Sequence, residues 1–333
     1  MEARFYINEN VAKRPEFKAD LDSLKISYEY KEIPGIGDKE GWKYIRFSIS
    51  ENDPLWPTIH ALLKKHGLKA GQRVIYSKQD IETAEWFRVH PDSASLGYPK
   101  PDHDNGYMQA TYDLSKYCLR CGIGEQIGPF RLSSEPKSKS KHFLGIEWIP
   151  EEIFARVEIQ AVFENLGITG VEYLRPVKHR TGEAFESIAQ LKVNTVLPPA
   201  LVVHECELVT CCENNEEDDN KPVNRLRSLI NTKELNAKRE SSQIASYNPA
   251  DVWSKRYPPD YPLCGRIKYH VIYRHQAKFA REAFRGAPDF VKTNEWFGSG
   301  GHAGRETLVS QRVARVILEN KWRGVRLEPI ALV

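Results

Sequence analysis

The stretch Glu151-Glu-Ile-Phe-Ala-Arg-Val-Glu-Ile-Gln-Ala-Val-Phe-Glu-Asn-Leu166-Gly167, running on to Val171-Glu-Tyr173, decides how this chain is read. Ile153, Phe154, Val157, Ala161 and Val162 recur at helical spacing, which predicts a helix over 151–166. Gly167 suits its C-terminal end, where a left-handed residue is needed. Val171-Glu-Tyr173 then starts a strand that ends near Pro176, and a strand-like segment, Phe143–Ile149, precedes the helix. A second stretch reads the same way. Leu308, Val309, Val313, Val316 and Ile317 place one apolar face on a helix over 305–320, followed by Gly324-Val-Arg-Leu-Glu-Pro329.

Working outward, the two stretches match as copies of one unit. Cys121-Gly122 corresponds to Cys264-Gly265 and Glu147-Trp148 to Glu295-Trp296. Phe163-Glu-Asn165 corresponds to Leu318-Glu-Asn320, and Gly170-Val171 with Pro176 to Gly324-Val325 with Pro329. The spacing drifts: 27 residues separate Cys121 from Trp148 and 32 separate Cys264 from Trp296. Paired repeats pack as a pseudo-symmetric couple because each alone cannot bury its apolar face. The competing explanation is a coincidence between two helix–glycine–strand units.

The N-terminal part, 1–105, reads as a small α+β domain. Strands are expected at Phe5–Ile7, Ile26–Ile33 and Arg73–Tyr76. In Tyr44–Ile49 the apolar Ile45, Phe47 and Ile49 alternate with Arg46 and Ser48. Pro54–Gly67 reads as a helix with Ile59, Leu62 and Leu63 inward, its prolines in the first turn where a missing N–H costs little. A loop over 91–104 follows. The rest divides into a first CxxCG unit, 106–203, an insertion, 204–254, and a second, degenerate unit, 255–333. Glu213-Asn-Asn-Glu-Glu-Asp-Asp219 opens a polar stretch, 213–248, with too little apolar surface to offset the entropy of ordering; it is expected to be solvated and partly disordered. The fold class is α+β.

Composition excludes more than it names. The chain has 333 residues, is 41% hydrophobic, and carries 48 Lys and Arg against 45 Asp and Glu, a net charge of +3. That is a globular composition, too balanced to dictate a partner. No apolar run approaches the 18 or so residues a membrane span needs, and the N-terminus lacks the apolar core of a signal peptide. A cytoplasmic protein with reduced thiols and no membrane partner is expected.

Four features carry chemistry. Cys118-Leu-Arg-Cys121-Gly122 has the spacing of half a zinc ribbon, two thiolates on a glycine-opened turn. The repeat adds Cys264, but the residue three before it is Tyr261, so one thiol is lost; either Asp260, His270 or another chain segment supplies a fourth ligand, or the site is empty. Zinc on Cys118, Cys121 and Cys264 stands against three thiols packed as small apolar groups, and no cofactor is favoured. His204, Cys206, Cys211 and Cys212 form a second cluster, read as ordinary strand and loop residues. The turn Gly298-Ser-Gly-Gly-His-Ala-Gly304 precedes the expected helix, so Gly300, Gly301, His302 and Arg305 are candidates for an anion. Arg266, Lys268, Arg274, Lys278 and Arg281, interleaved with Tyr269, Tyr273, Phe279 and Phe284, are candidates for stacking and phosphate contacts with nucleic acid. No ordered catalytic motif occurs, although a Cys–His pair meeting in three dimensions would leave none.

Tyr112-Asp-Leu-Ser-Lys-Tyr-Cys118-Leu-Arg-Cys121-Gly122, Pro129-Phe-Arg-Leu, Cys264-Gly-Arg-Ile-Lys-Tyr269, Phe297-Gly-Ser-Gly, Leu308-Val-Ser310 and Gly324-Val-Arg-Leu-Glu-Pro329 together resemble the bacterial double-CxxCG motif proteins, immunity-type proteins of polymorphic toxin systems. The resemblance covers about 106–333. It implies a zinc shared by two CxxCG pairs, of which Cys118, Cys121 and Cys264 match and Tyr261 departs. It also implies a toxin as protein partner and no catalysis. The function expected is therefore a non-catalytic, cytoplasmic immunity protein that neutralises a toxin by binding it. A nucleic-acid-binding protein and an enzyme with a Cys–His site are the alternatives.

Overall fold

In a computed structural model of the chain, the residues described are 2–8, 15–33, 42–50, 53–66, 71–102, 106–118, 122–136, 140–202, 208–210, 266–269, 276–298 and 303–333. The acidic stretch 213–248 lies outside them, as do Cys121, Tyr261, Cys264 and the His204, Cys206, Cys211, Cys212 cluster. The fold is α+β, and the chain forms two compact units, Met1–Ala84 with Ile272–Ala277, and Glu85–Val271 with Lys278–Val333.

The first unit runs β1 (Glu2–Asn8), α1 (Pro15–Ser23), β2 (Tyr28–Ile33), β3 (Trp42–Ser50), α2 (Trp56–Lys65), β4 (Gly71–Ile75) and α3 (Lys78–Thr83). Its sheet has the order β2-β3-β1-β4, all antiparallel. That is the ferredoxin-like split β-α-β arrangement. Alternation along β3 buries Ile45, Phe47 and Ile49 against Phe17 and Leu21 of α1 and Ile59, Leu62 and Leu63 of α2. Asp20 ties the helices together, accepting from Lys65 Nζ and lying against His66 Nε2, both at 2.7 Å. These two donors outweigh the small effect of burial and hold Asp20 below the usual carboxylate range. Ser77 and Asp80 form a reciprocal capping box that starts α3.

The second unit begins with β5 (Trp86–Pro91) and α4 (Tyr107–Thr111). It continues through β6 (Arg131–Leu132), β7 (Phe143–Ile146), β8 (Ile149–Arg156), α5 (Val157–Asn165), β9 (Glu172–Leu174), β10 (Val177–Lys178) and β11 (Ile188–Lys192). β12 (Leu208–Thr210), β13 (Ile267–Tyr269), β14 (Lys278–Phe279), a 3₁₀ turn (Arg281–Phe284), β15 (Phe290–Lys292), β16 (Trp296–Phe297), β17 (Thr307–Ser310), α6 (Gln311–Glu319), β18 (Val325–Pro329) and β19 (Ala331–Leu332) complete it. Among the described residues no helix is long and apolar enough to cross a membrane.

Both decisive stretches differ from the sequence expectation in the same way. Residues 151–156 and 307–310 are strand, and the helices start only at Val157 and Gln311. Each helix follows its strand without a loop, so the apolar residues of a strand buried on both faces run straight into a helical stripe and imitate one longer helix. The last four residues of β8 are all buried.

Two four-stranded antiparallel sheets result, β7-β8-β11-β9 and β15-β17-β5-β18. They agree in register as well as order. In the first, Gln190 of β11 stands opposite Phe154 of β8 and Leu174 of β9; in the second, Arg88 of β5 stands opposite Leu308 of β17 and Glu328 of β18. The third strand of the second sheet thus comes from β5, within the segment 1–105 and ahead of both stretches, whereas that of the first comes from β11, behind β9. The turn after each helix grips the first strand of the other sheet. Thr169 O accepts from Phe290 N at 3.0 Å, and Arg323 O accepts from Phe143 N at 2.9 Å. Gly170 (φ +85°) and Gly324 (φ +96°) make the two crossings possible, because a Cβ there would collide with the carbonyl oxygens of Phe290 and Phe143. Phe143, Phe163, Phe290 and Trp322 fill the space between, with ring centroids 5.6–6.0 Å apart.

Candidate binding cleft

The cleft of the second unit is built on the first sheet. α4 and the turn after it supply Tyr107, Met108, Tyr112 and Tyr117; the β7–β8 turn supplies Trp148; β8 supplies Glu151 and Glu152; β11 and its continuation supply Lys192, Asn194 and Val196; the C-terminal segments supply Lys292, Trp296, Gly304 and Arg305. The enclosed volume is about 640 Å³, within the usual range of small-ligand and side-chain pockets.

Two glycines shape the walls. A Cβ on Gly124 would collide with the ring of Tyr117, and one on Gly304 with the carboxylate of Glu151. Tyr107 and Tyr117, each 5% exposed, pack in the core with Cys118, Phe130 and Phe154. An aromatic row leads outward from that core: Tyr112 to Tyr107 at 6.4 Å, Tyr107 to Trp148 at 5.8 Å, and Trp148 to Tyr98 at 4.7 Å. Burial pushes the Tyr107 and Tyr112 hydroxyls well above the ordinary phenol range, and the charge of Glu151 adds to the shift. Both are neutral at any physiological pH, available as hydrogen-bond groups and not as bases.

The floor is a satisfied amide–carboxylate network. Gln190 Nε2 donates to Glu152 Oε2 at 2.7 Å, Lys292 Nζ lies 3.3 Å from Glu152 Oε1, and Gln126 and Gln190 exchange amide hydrogen bonds at 2.7–2.8 Å. A buried charge is tolerated when paired and hydrogen-bonded in this way. Arg305 lies 4.6 Å above the Trp296 ring, and burial lowers its pKa against the nearby charges of Glu125 and Glu295.

The rim is apolar. Of the seven large hydrophobic side chains exposed among the described residues, Trp148 and Val196 line this cleft and Tyr98 packs on Trp148. Isolated exposed hydrophobics are ordinary, but several of them together at one opening are a feature of interaction sites.

The candidates named from sequence fare differently. Cys118 is buried, 2% exposed, in a turn closed by Gly122 N donating to Cys118 O at 2.8 Å, with Gly122 at φ +76°. Its expected partners Cys121 and Cys264 lie outside the described residues, and no group of three potential metal ligands occurs among those described. Of the glycine-rich turn, Gly300, Gly301 and His302 also lie outside. The turn leads into β17 and not into a helix, and the N-terminus of α6 is capped by Ser310, whose side chain accepts from Val313 N. Arg305 alone of that group reaches the cleft. Four of the five basic residues are among the described ones. Lys268 is 1% exposed, Arg281 donates through Nη1 to both carboxylate oxygens of Glu85, Lys278 lies on β14, Arg266 is partly buried, and Arg274 falls outside.

Sequence reasoning missed the tyrosine wall and the second sheet's charge cluster. In that cluster Arg88 hydrogen-bonds Glu328, Arg88 Nη1 lies 3.6 Å and His90 Nε2 3.1 Å from Glu306, and Arg326 Nε lies 2.5 Å from Glu328. Burial would raise Glu328, but the charges of Arg88, His90 and Arg326 outweigh it and hold the carboxyl at about 2. Burial pulls His90 below its ordinary value against the attraction of Glu306. Trp148 and Trp296, paired in the sequence as equivalent residues, both line the cleft. No family model matches the chain, and no curated protein is detectably similar to it.

Proposed function

We propose that the chain is a non-catalytic binding protein that engages a protein partner at this cleft, acting as an immunity-type protein that neutralises a toxin by occupying its surface. The observation that supports this reading is the exposure of Trp148 and Val196 at one opening, with Tyr98 packed on Trp148 and the carboxylate of Glu152 already satisfied. Aromatic anchors in such a setting dominate binding energy at protein interfaces. The resemblance to double-CxxCG proteins supplies the class of partner. The nucleic-acid reading draws less support, since Lys268 is buried and Arg281 is committed to Glu85. A thiol nucleophile needs exposure, which Cys118 lacks.

The test is whether a toxin is encoded beside this gene; with none there, the reading fails. Co-expression should rescue growth and co-purification should recover a complex. Trp148→Asp should weaken that complex about 100-fold, the effect of losing an interface hot spot. A stably folded Trp148→Asp variant that still protects fully would overturn the reading.

A further inference from the structure

The cleft's own charges identify what it accepts. The two sheets present equivalent positions with opposite outcomes. Glu152 and Glu306 each stand five residues before their helix, and Lys192 and His90 occupy the same register, opposite Glu172 and Arg326. In the second sheet His90 turns to Glu306 at 3.1 Å. In the first, Gln190 and Lys292 satisfy Glu152, and the half-buried Lys192 ammonium has no hydrogen-bond or ion-pair partner among the described residues. Arg305 is the second uncommitted cation: its Nε is buried without a hydrogen-bond acceptor among the described residues while its guanidinium rests on Trp296.

Of the neighbouring acids, Glu125 lies 4.0 Å from Lys116 Nζ, Glu295 accepts through Oε1 from the backbone N–H groups of Ala200 and Leu201 while its Oε2 is buried without a hydrogen-bond donor among the described residues, and Glu151 stands beside Gly304. Two cations thus line a cleft whose rim is aromatic and apolar. Unpaired, desolvated cations are costly, and an incoming carboxylate removes that cost.

We propose that the cleft receives a segment of the partner protein that presents a carboxylate side chain next to an aromatic one, the carboxylate meeting Lys192 and Arg305 and the ring lying on Trp148. The proposal rests on the protein-binding reading and gives its chemistry.

Capped dipeptides test it. Ac-Asp-Phe-NH2, Ac-Asn-Phe-NH2, Ac-Lys-Phe-NH2 and adenosine monophosphate are titrated into the full chain. The indole N–H resonances of Trp148 and Trp296 are followed, assigned with Trp148→Phe and Trp296→Phe. The Asp peptide should shift both resonances and bind about tenfold more tightly than the Asn peptide, the effect of one charge-assisted hydrogen bond. Lys192→Gln should bring that ratio to within about twofold by weakening the Asp peptide more than the Asn peptide, and Arg305→Gln should act in the same direction. Tightest binding by the Lys peptide would overturn the proposal in favour of a basic segment. Tightest binding by the nucleotide would overturn it in favour of a phosphate, and an Asp/Asn ratio near one in the wild type would overturn it outright. If Trp148→Asp abolishes the toxin complex while that ratio is near one, the acidic-segment proposal falls and the protein-binding reading stands. If the toxin complex survives Trp148→Asp, the reading beneath it has failed instead.

Discussion

At matching places in the two sheets of the second unit, Gln190 faces Glu152 and Arg88 faces Glu306 and Glu328. The backbones around them pair residue for residue. What differs is side-chain chemistry, and it decides which sheet is open. A neutral amide satisfies one carboxylate, and Lys192 has no partner among the described residues in a cleft walled by tyrosines. A guanidinium with His90 and Arg326 draws two carboxylates into a cluster in which Arg88 and Glu306 are almost wholly buried. Pairing register fixes where side chains stand; their charge determines whether the place becomes a site or a strut.

The largest effect should come from breaking the strut. Arg88→Ala strands Glu328 and Glu306 in a buried setting and should cost about 3–5 kcal/mol, whereas Gln190→Ala at the matching place should cost about 1–2 kcal/mol. Chemical denaturation of both variants checks this, and equal losses would break the comparison. Next come the crossings. Gly170→Ala and Gly324→Ala each force a Cβ against a carbonyl oxygen at positive φ, so each should cost about 3 kcal/mol or more, by like amounts. A large loss at one and none at the other would show that the two crossings are not mechanically alike.

Acid should act on the second sheet first. Glu328 is held at about 2, below its ordinary 4.5, so its contribution is complete above pH of about 4.5 and is lost as pH falls towards 2. His90, buried and pulled below its ordinary 6.5, adds a loss of the same sign as pH drops below that value, because the unfolded chain takes up the proton first. Melting followed between pH 7 and 3 should show a falling midpoint. Glu328→Gln should flatten the lower part of the curve, and an unchanged slope would refute the assignment.

What was legible in the sequence follows from the range of the forces involved. The strands and second helix of the first unit, with Ile45, Phe47 and Ile49 alternating and Ile59, Leu62 and Leu63 on one face, are set by local periodicity. α1 was missed, its polar surface weakening the stripe despite buried Phe17 and Leu21. β5 was missed because Arg88 and His90 interrupt its apolar pattern, and their partners Glu306 and Glu328 stand more than two hundred positions away. The same distance hid the cleft. Its tyrosines lie near position 110, its carboxylates near 150 and its guanidinium at 305. The matched Glu147-Trp148 and Glu295-Trp296, and Arg305 after the glycine-rich turn, pointed at its walls.

The smallest expected effect tests the comparison most finely. After α5 the chain passes through Leu166 to Gly167 at φ +63°; after α6 it passes through Asn320 to Lys321 at φ +53°. The hydrogen bonds agree: Gly167 N donates to Glu164 O and Lys321 N to Leu318 O, both at 3.0 Å, and Ile168 N and Trp322 N reach back to Phe163 O and Ile317 O. A left-handed residue ends both helices, but only the first end uses glycine. Lys321 bears a left-handed cost of roughly 1–2 kcal/mol, while glycine is more disordered in the unfolded chain and returns part of that gain. Lys321→Gly should therefore stabilise by about 0.5–1 kcal/mol, and Gly167→Ala should destabilise by about 1 kcal/mol, since a Cβ there meets open space and only the backbone is strained. Urea titrations resolve shifts of this size. Should Lys321→Gly destabilise instead, the side chain of Lys321 contributes more than its backbone conformation costs, and the two helix ends are alike in shape but not in what holds them.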